Sequence, residues 1–326
     1  MTITAPADTG ILISTVIETV DDAALGVATL VLRREDGHDF PAWEPGSHID
    51  VILDNGLTRQ YSLCSDPADL STLRIGVLHV DESRGGSEYV HEHLKAGTSV
   101  TISAPRNNFP LVDSRKYLFI AGGIGITPII PMIRDAEAAG REWTLHYLGR
   151  SRSTMAFSQQ LVEEFGADRV HLHAADEGGR LKLQNILGLP RAHMLVYTCG
   201  PAGMLSEIDD LCMGWPPGVL HTERFSVGDL DAPTNPDPFD VELALTGTTV
   251  TVNPNETILD AIEANGGRAL SSCRAGLCGT CETRVISGEP EHRDAILSEE
   301  DKDAGDVMMV CVSRAAAGCH RLVLEL

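Results

Sequence analysis

Between Ile11 and Val112, apolar side chains come in short runs: Ile11–Val20, Val27–Leu32, His48–Leu53, Thr58–Leu63, Leu73–Val80 and Ser99–Ser103. Turn-forming residues separate the runs, and alternation at every second position lays one face of an extended chain against a core. Six such strands predict a small antiparallel barrel. From about Asp113 the rhythm changes. The apolar runs Tyr117–Ala121, Trp143–Leu148, Arg169–Ala174 and Met194–Thr198 alternate with helical patterns at Ile129–Ala139, Ser153–Phe165 and Ala202–Met213. That alternation predicts a parallel sheet with helices on both faces.

The stretch Gly228–Asp240 holds three prolines and four aspartates without apolar periodicity, and it reads as a linker. Beyond it, Val241–Leu245, a Thr246–Gly247 turn and Thr249–Val252 predict a hairpin, and Thr257–Ala264 predicts a helix stopped by Asn265–Gly266. A hairpin, a helix and a cysteine-bearing loop make a small α+β domain. The expected division is therefore 1–112, 113–228, a linker at 229–240, and 241–326, which suits a chain of 326 residues.

A net charge of −22 argues against nucleic acid, whose phosphates need Lys and Arg, and favours partners with a basic docking face. Met1–Gly10 has no basic segment leading an apolar core, and no run reaches the ~18 apolar residues of a membrane span. The expectation is a cytoplasmic protein. With no heptad pattern or long apolar surface run, it is expected to be a monomer.

Cysteine spacing changes the picture most. Cys273, Cys278 and Cys281 follow C-x4-C-x2-C, and Cys311 stands thirty residues later, which is the plant-type [2Fe–2S] pattern. Two irons and two sulfides need four thiolates, three of them from one tight loop, and Gly276 and Gly279 let that loop close. A structural zinc site also takes four thiolates, but it usually pairs two short C-x2-4-C units. Cys64, Cys212 and Cys319 read as small buried hydrophobes.

Gly122, Gly123 and Gly125 lie between a strand and a helix, with Thr127 placed to cap and Pro128 to start the helix. A glycine turn at a helix N-terminus can cradle a pyrophosphate. Cys199-Gly200-Pro201 forms a second turn at the same sheet edge. In the barrel, Arg59 and Tyr61 share one face of a strand and Ser62 projects from the other. Arg84-Gly85-Gly86-Ser87 precedes a helix at Glu88–Leu94, a second phosphate cradle. His91 and His93 flank Glu92 on a surface-helix pattern, and His292-Arg293-Asp294 lacks the companions of the kinase motif that it matches.

With these residues assembled, the chain resembles the phthalate dioxygenase reductase family, relatives of ferredoxin–NADP reductase with a ferredoxin domain fused at the C-terminus. RQYSLCS, RGGS, GGIGITP, CGP, HTERF and CRAGLCGTC occur here in the family's order. The resemblance implies an antiparallel Greek-key β-barrel for FMN, a parallel five-stranded α/β nucleotide-binding domain, and a β-grasp ferredoxin-like domain. It makes Arg59, Tyr61 and Ser62 flavin ligands, with Ser62 near the ring and Arg59 near the phosphate, Gly85, Gly86 and Ser87 the rest of the phosphate site, and Arg84 a further cofactor-binding residue. Gly122, Gly123, Gly125 and Thr127 would hold the nicotinamide nucleotide, with Cys199 and Gly200 close to its ring. Glu223 and Phe225 would lie against the flavin, so that the catalytic group is Ser62, Cys199, Glu223 and Phe225.

One departure concerns Gly149-Arg150-Ser151-Arg152, where an acidic residue would favour NADH; Arg150 or Arg152 could instead take the 2′-phosphate of NADPH. NADH remains the expectation, with NADPH possible. The implied function is reductase component of an oxygenase system, passing electrons to a separate Rieske non-haem iron oxygenase or another monooxygenase. The alternative is a non-catalytic [2Fe–2S] redox sensor, which would need no hydride site.

Overall fold

The N-terminal runs pair edge to edge into a closed sheet. In the computed structural model, which describes residues 11–80, 85–225 and 233–326, the chain divides into two units, Met1–Phe225 and Ser226–Leu326. The first unit opens with β1 (Leu12–Ala24), β2 (Val27–Arg34), β3 (Ser47–Ile52), β4 (Thr58–Ser62), β5 (Leu73–Leu78), helix α1 (Gly86–His93), β6 (Ser99–Ser103) and β7 (Arg106–Asn107). Their order is β4-β3-β6-β1-β2-β5 with β7 on β3, every pairing antiparallel, and a Leu63–Ile75 bridge joins the two ends. Insertion of β6 between β1 and β3 is a Greek-key order. The inward faces bury Ile17, Leu30, Leu32, Ile49, Val51, Leu63, Ile75 and Ile102.

The second part of this unit contains β8 (Lys116–Gly122), α2 (Ile126–Ala138), β9 (Glu142–Gly149), α3 (Ser158–Phe165), β10 (Val170–Ala174), α4 (Ala175–Gly178), α5 (Gln184–Leu187), β11 (Met194–Cys199), α6 (Ala202–Leu211) and β12 (Leu220–Glu223). Among the described residues this sheet has five strands, all parallel, in the order β10-β9-β8-β11-β12. One face packs on α2 and α3 through Phe119, Leu145 and Tyr147, and the other on α5 and α6 through Leu118, Ile120 and Val196.

The helical run expected at Ser153–Phe165 is broken. Arg152–Thr154 form a 3-10 turn and α3 starts only at Ser158, because Phe157 sits in the left-handed region at φ 60. There its ring lies under the Arg74 guanidinium of β5, 5.1 Å away, so packing on the barrel overrides helical periodicity. His91 also departs from expectation. It is half-buried, with its Nε2 3.0 Å from the Val77 carbonyl.

The second unit has β13 (Phe239–Leu243), β14 (Thr248–Val252), α7 (Ile258–Ala264), β15 (Glu282–Ser287), β16 (Pro290–Glu291), α8 (Glu299–Ala304), β17 (Val307–Met309), β18 (Arg314–Ala315) and β19 (Arg321–Leu324). Its main sheet runs β14-β13-β19-β15-β17, with β13 and β19 parallel, and α7 covers it through Ile258, Leu259 and Ile262. The helix expected from Thr257 starts one residue later, because Thr257 and Asp260 cap α7 reciprocally. The last two residues of the expected linker are strand, because Phe239 is core and carries the Arg314 guanidinium 5.0 Å above its ring. Asn235 is tied to the same unit, donating to the Ala316 and Cys319 carbonyls at 3.4 and 3.2 Å. Among the described residues, no helix is long and apolar enough to cross a membrane.

Candidate functional site

Strand β4 brings the first constellation into place. Arg59 lies across Gly86, where an added Cβ would stand 2.2 Å from Arg59 Nε, so the glycine is what admits the guanidinium. The RQYSL strand and the RGGS segment therefore meet. Gly85 precedes α1 at φ 77, and the Ser87 hydroxyl accepts from the Val80 N–H at 3.3 Å. Arg84 lies outside the described residues. Burial raises the Tyr61 hydroxyl to about 12, so it stays protonated, and Ser62 is buried on the opposite face of the pleat. A helix N-terminus, a guanidinium and a hydroxyl suit a phosphate monoester.

At the carboxyl edge of the parallel sheet two turns pack backbone on backbone. A Cβ on Gly125 would stand 2.3 Å from the Cys199 carbonyl oxygen and 2.7 Å from Gly200 N, and one on Gly200 would stand 3.0 Å from Gly122 Cα. Tyr147 pins the turn from β9, donating to the Gly123 carbonyl at 3.1 Å. Thr127 does not cap α2. The helix begins earlier, at Ile126, and the Thr127 hydroxyl donates to Ile124 O at 2.9 Å, which leaves Pro128 inside the first turn. The crevice at this edge, where strand order reverses, is where open α/β sheets bind nucleotides.

Register places Glu223 of β12 beside Cys199 of β11. The residue keeps some exposure, yet Glu223 Oε2 is buried with no hydrogen-bond partner. Burial raises its carboxyl to about 8, against a smaller opposing effect of the Cys199 thiol, and burial with Glu223 holds that thiol well above its usual range. Both groups are therefore protonated at neutral pH. A carboxyl raised from 4.5 to about 8 on folding contributes stability that is full below pH 4.5 and lost as pH rises through about 8. Glu223→Gln should remove that part of the pH dependence. Thermal unfolding of both proteins between pH 5 and pH 9 checks this: native and variant curves that stay parallel would show that Glu223 is not protonated in the fold. Phe225, next but one, is 40% exposed.

The arginines after β9 are handled differently from each other. Arg152 is engaged by Glu177, Nε to Oε2 at 3.1 Å, and Ser151 is spent on a capping box with Thr154. Arg150 is exposed, and its carbonyl accepts from Asp176 N at 3.1 Å.

In the second unit the cysteine loop closes on itself. Gly276 and Gly279 have φ of 67 and 74, and a Cβ on Gly276 would meet Val312 Cγ2 at 2.6 Å. Ala275 and Leu277 N–H groups donate to Cys273 Sγ at 3.3 and 3.4 Å, as donors to a thiolate would. The Cys278 thiol is pushed up by hydrogen bonding with Cys273 and by burial, while Cys311 pulls Cys281 down. Hydrogen bonding to Cys273 lowers Cys311, but Cys281 and burial prevail and raise it to about 12. Ser272 Oγ, beside this loop, is buried without a partner. Thiols linked in sequence, Cys278 to Cys273, Cys273 to Cys311 and Cys311 to Cys281, with N–H donors on one sulfur, fit a sulfur-rich cluster. Among the described residues, no three His, Cys, Asp or Glu side chains are set to hold a single ion. Cys64 and Cys212 are buried in the cores, as expected, and Cys319 is half-exposed with its thiol donating to Arg321 O at 3.2 Å.

Comparison with known proteins agrees with this geometry. Residues 241–316 match the model of the 2Fe-2S iron-sulfur cluster binding domain. Phenoxybenzoate dioxygenase subunit beta of Ectopseudomonas oleovorans is 41% identical over 284 residues, 86% of this chain and 88% of its own. The structure of a phthalate dioxygenase reductase, described as modular for electron transfer from pyridine nucleotides to [2Fe-2S], superposes with TM-score 0.74 and 33% identity over 97% of this chain and 98% of that one. An intact type IV self-sufficient cytochrome P450 monooxygenase matches with TM-score 0.87 and 39% identity, covering all of this chain and 42% of its own, so the chain spans less than half of that protein.

Proposed function

Since the chain belongs to the phthalate dioxygenase reductase family, we propose that it is the reductase component of an oxygenase system, taking electrons from NADH through FMN and a [2Fe–2S] cluster. When bound, FMN accepts an electron pair as hydride and releases electrons singly, and the cluster carries one at a time. The chain positions these groups. Arg59, Gly85, Gly86 and Ser87 bind the FMN phosphate, together with Arg84, and Tyr61 and Ser62 bind the ring. Gly122, Gly123, Gly125 and Thr127 shape the NADH crevice, with Cys199 and Gly200 at the nicotinamide end. Glu223 holds a proton on its carboxyl beside Cys199, and the exposed Phe225 ring covers the flavin face when nicotinamide is absent. Cys273, Cys278, Cys281 and Cys311 ligate the cluster.

The observation that carries this reading is the packing of the glycine turn against Cys199-Gly200 at the sheet edge, which a non-catalytic sensor would not need. NADH is the donor because Arg152, although exposed, is already paired with Glu177. The electron acceptor is a separate oxygenase of the Rieske non-haem iron class or another monooxygenase, docking through a basic face on a chain of charge −22. The protein acts as a cytoplasmic monomer.

Heat release of the flavin followed by chromatography should recover FMN, and recovery of FAD would overturn the barrel assignment. In steady-state kinetics at one ionic strength, kcat/KM should favour NADH. A charge-assisted contact to a 2′-phosphate contributes about 1.5–3 kcal/mol, or roughly one to two decades. An NADPH preference of that size, abolished by Arg150→Ala, would reverse the donor assignment.

A further inference from the structure

We propose that His48 is a further flavin-contact residue, its imidazole joining Ser62 and Arg106 in a polar floor against the pyrimidine edge of the isoalloxazine. This rests on the FMN reading above. Register brings the three together: His48 on β3 is the cross-strand partner of Ser62 on β4 and of Arg106 on β7. Side chains directly opposite in an antiparallel ladder stand on one face. Asp50 and Gln60 continue that face one pleat further on.

The acid on this face is already met. Arg106 Nη2 lies 2.7 Å from Asp50 Oδ1, and Gln60 Nε2 donates to the same oxygen at 2.9 Å. Two atoms are left over. His48 Nε2 and Arg106 Nε are both buried and have no hydrogen-bond partner among the described residues. His48 as a whole is 6% exposed. Buried polar groups in folded chains are nearly always paired, so two orphans on adjacent strands, beside the residue placed at the flavin ring, call for an occupant. It must accept from Arg106 Nε–H and hydrogen-bond an imidazole. The pyrimidine edge of a flavin, carbonyls alternating with ring nitrogens, does both. Burial, and next Arg106, lower His48 to about 4. The ring is therefore neutral and keeps one nitrogen as an acceptor. A single bridging water is the competing occupant.

The experiment uses the full-length protein stripped of flavin and titrated with FMN. His48→Leu should weaken FMN binding on the order of tenfold, and His48→Gln, which keeps a hydrogen-bonding group, should recover most of the affinity. Because the leucine variant can disturb the barrel, nitrogen-15 histidine spectra of the native protein give an independent reading. Saturating FMN should move a ring-nitrogen signal that is missing from the His48→Gln spectrum. Native-like FMN affinity in a folded His48→Leu, or a His48 signal that FMN leaves unmoved, would overturn the inference and assign the pocket to water. A native chain that takes up no FMN would instead overturn the cofactor reading on which the inference rests.

Discussion

Changing Cys278 to serine should abolish reduction of the [2Fe–2S] cluster by NADH while the bound FMN is still reduced at close to the native rate. The expectation follows from the separation of cores. Cys278 belongs to the unit built around Phe239, Val241, Ile258 and Leu322, whereas the candidate flavin and nicotinamide residues stand on the cores of the first unit. A serine oxygen is a poorer ligand for cluster iron than a thiolate, so the defect is confined to the second unit. Rapid-mixing absorbance resolves the two steps, and iron analysis reports the ligand set. If serine at each of Cys273, Cys278, Cys281 and Cys311 in turn left iron at the native level, the ligand assignment would be wrong.

Gly125→Ala should have a comparably large effect in the first unit. The new Cβ would fall 2.3 Å from the Cys199 carbonyl oxygen and 2.4 Å from its carbon, both backbone atoms that no rotamer change can move aside. The two turns must part, at a cost of about 1–3 kcal/mol of stability. Displacing the nicotinamide end of the crevice should slow flavin reduction on the order of 10²-fold. FMN binding, which rests on the barrel, should survive. Gly203→Ala is the control: it lies in α6 with nothing within 4 Å of the added Cβ, and it should leave flavin reduction unchanged. Equal rates for the two variants would mean that the turn packing does not shape the hydride site.

Much of the architecture was legible in the sequence because it depends on local periodicity. The strands around Val27, Thr58, Ser99 and Met194 start or end within two residues of the expected positions, and α7 starts one residue after the expected Thr257. The cysteine spacing was legible for a chemical reason: a loop that presents three thiolates to one cluster tolerates few spacings. What escaped depends on partners distant in the chain. Phe157 ends a helical pattern because it packs under Arg74, and no local signal marks that contact. Arg152 reads as a phosphate ligand until Glu177, 25 residues on, is found to pair with it. Phe239 reads as linker because its neighbours are prolines and aspartates, although it belongs to the core. The glycines of the dinucleotide turn were recognisable, but the reason for Gly125, the carbonyl of Cys199, appears only once β8 and β11 are side by side. His48 carries no sequence signal, since its place opposite Ser62 is set by strand register.

The central claim, that one polypeptide carries electrons from NADH through FMN to its own [2Fe–2S] cluster, is tested most directly by anaerobic mixing with NADH. Flavin and cluster absorbance would be followed together, and samples frozen along the time course for electron paramagnetic resonance. The account predicts loss of flavin absorbance first, then loss of cluster absorbance, with the signal of a reduced plant-type cluster growing at the second rate. A cluster that dithionite reduces but NADH does not, in a protein holding its full complement of flavin, would contradict it and leave the chain a redox sensor.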